Sequence, residues 1–434
     1  MLVFAPQATE RLNYILDYLL IERMGISYKL TDNIDYFKKS QNFKINYSNA
    51  IEEGCLNIPL EMLLFEENIC LQKIETNADK KWHKTFYNKA YNPIPDFKFT
   101  TQYLSFDILA ASFYLISRYE EYLPSKKDKH QRFKASNSLA FKENFLETPL
   151  LDIWVENLKN VLLILYPNLQ IKESHFQQIN TIDVDFAYKY IGQSPWALTR
   201  KFFGSILKGK PDFNCLSKTQ NDPYNTYDYL IATAKIENFE TLFFLLLADY
   251  GGYDKNISPK SMAMANLVKA LKMHNTCGIH PSYRANLNGK KFQQEFAHFE
   301  NLTAEKAQIA RQHFLKLNLP STYEKLEKAG IQNDYTMAYA DAIGFRASTC
   351  FPFPFFNLIE NKLSKLRVHP SCLMDVVLKN QLLLTPAEAI EKIKQLKAAV
   401  KTVNGQFISI WHNSSFDETQ GWKDWKEVYQ SLFE

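Results

Sequence analysis

Apolar and polar positions follow two different regimes along the chain. Up to about residue 172 they outline a few separate elements: an apolar run at Leu2–Phe4, then a stripe of Leu12, Ile15, Leu16 and Leu19 that recurs at the helical period after Thr9. A second helix is predicted over 108–122, rich in aromatic residues and ending in Ser117-Arg118-Tyr119-Glu120-Glu121-Tyr122. The polar stretch 124–138, with Lys126, Lys127, Lys129 and His130, predicts a solvated loop. A third helix over 150–165 closes this block, because Tyr166-Pro167-Asn168 breaks it.

Beyond that point short apolar runs alternate with capped helices, the pattern of β/α units around a mainly parallel sheet. The stretch 384–412 shows it best. Thr385 is a natural cap, Pro386 suits the first helical position and Glu388 completes a capping box, while Ile390, Ile393, Leu396, Val400 and Val403 supply one apolar stripe. Asn404-Gly405 ends the helix, and a strand over 407–411 delivers His412 at its C-terminal end. The continuously apolar run 241–248 predicts a strand buried on both faces, and further strands are predicted at 277–280 and 335–339. Helices are predicted from Ser258-Pro259, over 303–310 and from Ser321. The expectation is an α/β protein of two domains, an N-terminal α/β domain over 1–170 and a second over 171–434.

Composition narrows the function. Only 13 glycines stand against 32 Phe and 24 Tyr, and neither G-x-x-x-x-G-K-[ST], G-x-G-x-x-G nor G-x-S-x-G occurs, which argues against a nucleotide-cradling loop or a nucleophile elbow. A net charge of +4 spread over 51 basic and 47 acidic residues gives no footprint for nucleic acid. Six cysteines without a C-x-x-C pair imply reduced thiols, and no stretch reaches the ~18 uncharged apolar residues of a membrane span. A cytoplasmic, unanchored protein is expected.

Polar residues recur where the apolar runs of the second half end: Asp183, Asp185, Asp249, His280, Asp341, His369 and His412. In parallel α/β folds chemistry gathers at the C-terminal strand ends. Asp183 and Asp185, two apart in Ile179-Asn-Thr-Ile-Asp-Val-Asp185, leave the same face of a strand, and two adjacent carboxylates call for a cation or an arginine. Either Arg311 or Arg346 could serve. The spacing of His274, Cys277 and His280 suggests zinc, but the three would straddle a helix end and a strand and lack a fourth partner.

With those residues in view, the stretch from about 176 to the end resembles the polysaccharide deacetylase (NodB homology) family. Thr181-Ile-Asp-Val-Asp185 looks like its first motif, Gly278-Ile-His280 like the start of its metal-histidine motif, and Ile410-Trp-His412 like the motif of its acid histidine. The resemblance implies a distorted (β/α)7 barrel that removes an acetyl group from an N-acetylated saccharide with a divalent metal, Zn²⁺ before Co²⁺ or Mn²⁺. It implies Asp183 as general base, Arg311 as the arginine holding that base, His412 as acid, and Asp185 and His280 as metal ligands; Arg346 is a further catalytic candidate. Two departures stand out. Arg284 occupies the place of a second metal histidine, and Val184 separates the two aspartates. A third ligand is therefore sought among His274, Ser282, Asp249 and His412. Trp411, Phe353 and Tyr283 are candidates for stacking on a sugar ring. The N-terminal block resembles an accessory domain found ahead of such deacetylase domains in Bacteroidetes-type proteins. Two alternatives are a non-catalytic saccharide-binding protein and a glycoside hydrolase.

Overall fold

Five short parallel strands organise the N-terminal part of the computed structural model, which describes residues 1–89, 102–207, 209, 211–215, 222–236 and 239–434. They are β1 (Leu2–Phe4), β2 (Lys29–Thr31), β3 (Lys44–Tyr47), β4 (Leu56–Ile58) and, after a hairpin of β5 (Asn77–Asp79) and β6 (His83–Thr85), β7 (Gln102–Tyr103). Their order is β2-β1-β3-β4-β7. The helix Ile108–Ile116 is apolar along its whole length, and accordingly every one of its residues is buried. Asp107 caps it by accepting from the Ala110 amide at 2.9 Å. The helix Leu150–Leu165 ends at Tyr166, as the Tyr-Pro-Asn signal predicts.

The second part is built on one sheet of nine strands: β8 (Gln177–Val184), β9 (Glu240–Leu245), β10 (Thr276–Ile279), β11 (Ile309–Ala310), β12 (Asn333–Asp334), β13 (Phe353–Asn357), β14 (Lys362–Val368), β15 (Leu373–Met374) and β16 (Gln406–His412). The order is β13-β14-β12-β11-β10-β9-β8-β16-β15, parallel throughout except for β13. Here the expected (β/α)7 barrel needs correction, because the sheet does not close: β13 runs antiparallel to its neighbour, β15 is two residues long, and the two edges are joined by no ladder among the described residues.

Local signals hold where capping chemistry is complete. The helix Pro386–Thr402 has both halves of the Thr385/Glu388 capping box. The helix expected from Ser258 instead starts at Met262, where Ser261 accepts from the Met264 amide. The helix expected over 303–310 is Gly289–Thr303, and residues 309–310 are strand. The strand expected at 335–339 is Asn333–Asp334, followed by loop.

The two parts share one continuous hydrophobic cluster. Tyr14 and Phe113 of the N-terminal part pack on Phe356 of β13, ring centroids 5.0 and 5.3 Å apart. Buried polar groups also cross the junction. Asp152 accepts from the Cys350 amide and the Thr349 hydroxyl at 2.8 Å each, and Glu121 pairs with Arg346 at 2.5 Å. Among the described residues no helix is long and apolar enough to cross a membrane.

Candidate active site

Six polar side chains meet where the parallel strands end. Asp183 is the penultimate residue of β8 and Asp185 follows it; His280 comes directly after β10, Arg311 directly after β11 with His313 two residues on, and His412 ends β16. In the β8/β16 ladder His412 stands in register with Asp183, so both side chains rise from the same end of the sheet. All of them except the fully buried Arg311 line a cleft of about 450 Å³, together with Phe186, Phe314, Met374, Ser414, Ser415 and Trp422.

Asp183 is buried, and its Oδ1 accepts from Arg311 Nη1 at 2.7 Å. Arg311 is itself fixed: Nε donates to the Tyr335 carbonyl at 3.0 Å and its guanidinium lies over Phe244, 4.3 Å from the ring centre. An arginine so buried and restrained holds the carboxylate in a fixed orientation through a charge-assisted hydrogen bond. On the adjacent strand His412 Nδ1 faces Asp375 Oδ1 at 2.8 Å, and the other oxygen of Asp375 accepts the His412 amide at 2.8 Å. Burial pulls the His412 imidazole down, but Asp375 and then Asp185 outweigh it and raise its pKa to about 10.

Close to both groups lie Asp185, His280 and His313, whose donor atoms fall within 4.8 Å of one another. Each histidine has its Nδ1 committed: His280 to the Arg311 carbonyl at 2.7 Å, His313 to Asp254 Oδ1 at 3.0 Å. Both partners accept, so Nδ1 carries the proton and each Nε2 turns its lone pair to Asp185, 3.1 Å from Oδ1 for His280 and 3.3 Å from Oδ2 for His313. Lone pairs facing a carboxylate at such distances repel unless a cation or a proton lies between them. Asp185 Oδ1 is correspondingly a buried oxygen with no hydrogen-bond partner. A carboxylate and two imidazoles tied through their outer nitrogens are the donor set of a divalent metal such as zinc. In the metal-free protein a proton takes that place: against burial, Asp185 and Asp254 raise His313 to about 9, and Asp185 is held well below the usual carboxylate range by His313, His280 and His412 despite its burial.

The structure therefore brings together Asp183, Asp185, His280, Arg311 and His412. It does not bring Arg346 there, a correction to its expected catalytic role: Nε and Nη2 bind Glu121 at 2.9 and 2.5 Å, Nη1 binds the Ala338 carbonyl at 2.9 Å, and the side chain is buried away from the cleft. Arg284, in the place of a second histidine, turns away and packs on Gly251, where a Cβ would come within 1.7 Å of its guanidinium. Of the donors sought as a third ligand, His274 and Asp249 are exposed and outside the cleft, and Ser282 is bonded to Glu295. His412 Nε2 is 3.5 Å from Asp185 Oδ2. His369 stacks on Tyr335, ring centroids 4.4 Å apart, and Asp341 accepts from the Ala135 amide. Trp411 and Phe353 are buried in the core and cannot meet a sugar, whereas Phe186, Phe314 and Trp422 lie on the cleft.

Three residues escape a sequence reading centred on single strand ends. His313 shares a run with Arg311 at the two-residue spacing that puts both on one face, a usable signal. Asp375 follows the two-residue strand β15, too short to stand out as an apolar run, and Asp254 lies in a loop without any pattern. The turn that carries His313 is unusual as well. Phe314 (φ 62°) and Leu315 (φ 49°) are both left-handed without being glycine, a conformation costing of order 1–3 kcal/mol each.

Comparison with known proteins covers the two parts differently. Residues 1–167 match the model of a family of unknown function, DUF7033. No curated protein matches the chain. Among solved structures, similarity extends to a protein assigned as a polysaccharide deacetylase from Mycobacterium smegmatis, at 15% identity and a TM-score of 0.39 over 61% of this chain and 85% of that one. It extends also to a protein assigned as a polysaccharide deacetylase of O-antigen biosynthesis from Bordetella bronchiseptica, at 10% identity and a TM-score of 0.31 over 59% of this chain and 81% of that one.

Proposed function

We propose that the protein is a metal-dependent hydrolase that removes the acetyl group from an N-acetylated saccharide. One observation carries this reading: an Asp-His-His donor set stands beside an arginine-held carboxylate and a carboxylate-held histidine. A divalent cation held by Asp185, His280 and His313 supplies Lewis acidity at the acyl oxygen and lowers the pKa of a water. Asp183 accepts the proton of the attacking water, with Arg311 holding it in place. His412, held protonated by Asp375, delivers a proton to the departing nitrogen. Ser414, Asn380 and Gln381 with Trp422 give the cleft the mixture of polar groups and aromatic face that suits a sugar.

A saccharide-binding protein that has lost its metal set is less well supported, because His313 fills the place left by Arg284. A glycoside hydrolase needs a second carboxyl group to protonate its leaving group, and the group opposite Asp183 is a histidine. The test is acetate release from a panel of N-acetylated mono- and oligosaccharides by protein loaded with Zn²⁺, Co²⁺ or Mn²⁺. Release that a chelator abolishes and added metal restores supports the reading; new reducing ends without acetate overturn it.

A further inference from the structure

The His313 turn is fastened by the N-terminal part. Arg132 Nη1 donates to the Phe314 carbonyl at 2.6 Å, and Arg132 is itself gripped by Asp128, which accepts its Nε at 2.8 Å and its amide at 2.9 Å. Asp128 also accepts the His130 amide at 2.8 Å. The buried His130 ring then packs edge-on against Phe314 at 5.1 Å, with Tyr283 and Tyr253 completing the cluster. The segment read from sequence as a solvated loop is thus a wall of the cleft, lined by Lys129, His130 and Arg132.

Two successive left-handed residues without glycine persist only where their surroundings over-determine them. The hydrogen bonds of the turn's own backbone, Leu315 amide to Gln312 carbonyl at 2.9 Å and Leu317 amide to Leu315 carbonyl at 2.9 Å, leave the Phe314 carbonyl to Arg132. Since His313 precedes Phe314 directly, the torsions held there set where its Nε2 points. We propose that Arg132, braced by Asp128, is a positioning residue for the metal ligand His313, so that the block matching a family of unknown function is a working component of the site. This rests on the metal-site reading above.

The test is a Co²⁺ titration of the full chain, stripped with chelator and followed by visible absorption and calorimetry, with thermal unfolding of the metal-free protein in parallel. Arg132→Ala should weaken Co²⁺ binding about 10- to 100-fold and change the absorption band, the usual effect of removing a group that orients a ligand. Arg132→Lys, which can still donate to the carbonyl, should recover most of the affinity. Asp128→Asn should fall between, and it decides the matter if Arg132→Ala does not fold. A merely structural role would lower the unfolding temperature and leave affinity and spectrum as in wild type; that result, in Arg132→Ala or Asp128→Asn, overturns the inference alone. Absence of Co²⁺ binding by the wild type overturns the metal site and the inference with it.

Discussion

Glu121 offers the most quantitative check on the junction between the two parts. Its side chain is 3% exposed, and it accepts from Arg118 Nε at 2.8 Å and from Arg346 at 2.9 and 2.5 Å. Burial alone would raise its pKa, yet Arg346 and Arg118 hold it down to about 2, against a usual 4.5. At about 1.36 kcal/mol per pH unit that gap corresponds to about 3 kcal/mol of stability. Breaking a buried pair typically costs about 3–5 kcal/mol, since it strands the partner charge, and the two figures agree. Because the pKa is depressed on folding, the unfolded chain binds more protons at low pH. The contribution is therefore complete above about pH 4.5 and disappears as the pH falls towards about 2. Glu121→Gln should accordingly be about 3 kcal/mol less stable than wild type in urea denaturation near neutral pH, and the difference should shrink steadily below about pH 4.5. A difference below about 1 kcal/mol at neutral pH, or one unchanged down to about pH 3, would refute the reasoning.

Four further outcomes are expected. Asp183→Asn should lower turnover by at least ~100-fold while Co²⁺ affinity, measured by calorimetry, is retained. His313→Ala should abolish metal binding, whereas Arg284→His should not tighten it, because residue 284 packs on Gly251 away from the donors. Asp375→Asn removes the charge that most strongly raises His412, so the alkaline limb of the pH-rate profile should move to lower pH. A fragment beginning at Ile171 loses the partners of Arg346, Thr349 and Cys350 and part of the shared cluster; its thermal unfolding, followed by circular dichroism, should be less cooperative than that of the full chain.

The sequence made the site legible wherever one strand carried its own signal. Asp183 and Asp185 announce themselves by spacing, and His412 by the capped helix that precedes its strand. Arg311 and Arg346 look alike from sequence, each an arginine after an apolar run. Only tertiary contacts separate them, one reaching Asp183 and the other Glu121 across the junction. Edge geometry was illegible for a similar reason, since β13 and β15 stand close together in sequence yet end up at opposite edges of the sheet, a placement that only tertiary pairing decides. The basic stretch 124–138 reads as solvated by composition, yet Asp128 neutralises Arg132 and aromatic neighbours bury His130.

The pairing of Asp183 with His412 in one ladder has a consequence for synthesis. The two strands are separated by most of the second half of the chain, so the carboxylate proposed as base is made early and waits for the histidine proposed as its acid until β16 is synthesised. Until then the edge of β8 that β16 will cover is open, and the donor set lacks the protonated neighbour that helps hold Asp185 ionised. A ribosome-bound chain is in this sense unarmed, and loss of the last thirty or so residues would leave the donors of Asp185, His280 and His313 encoded but without an acid partner.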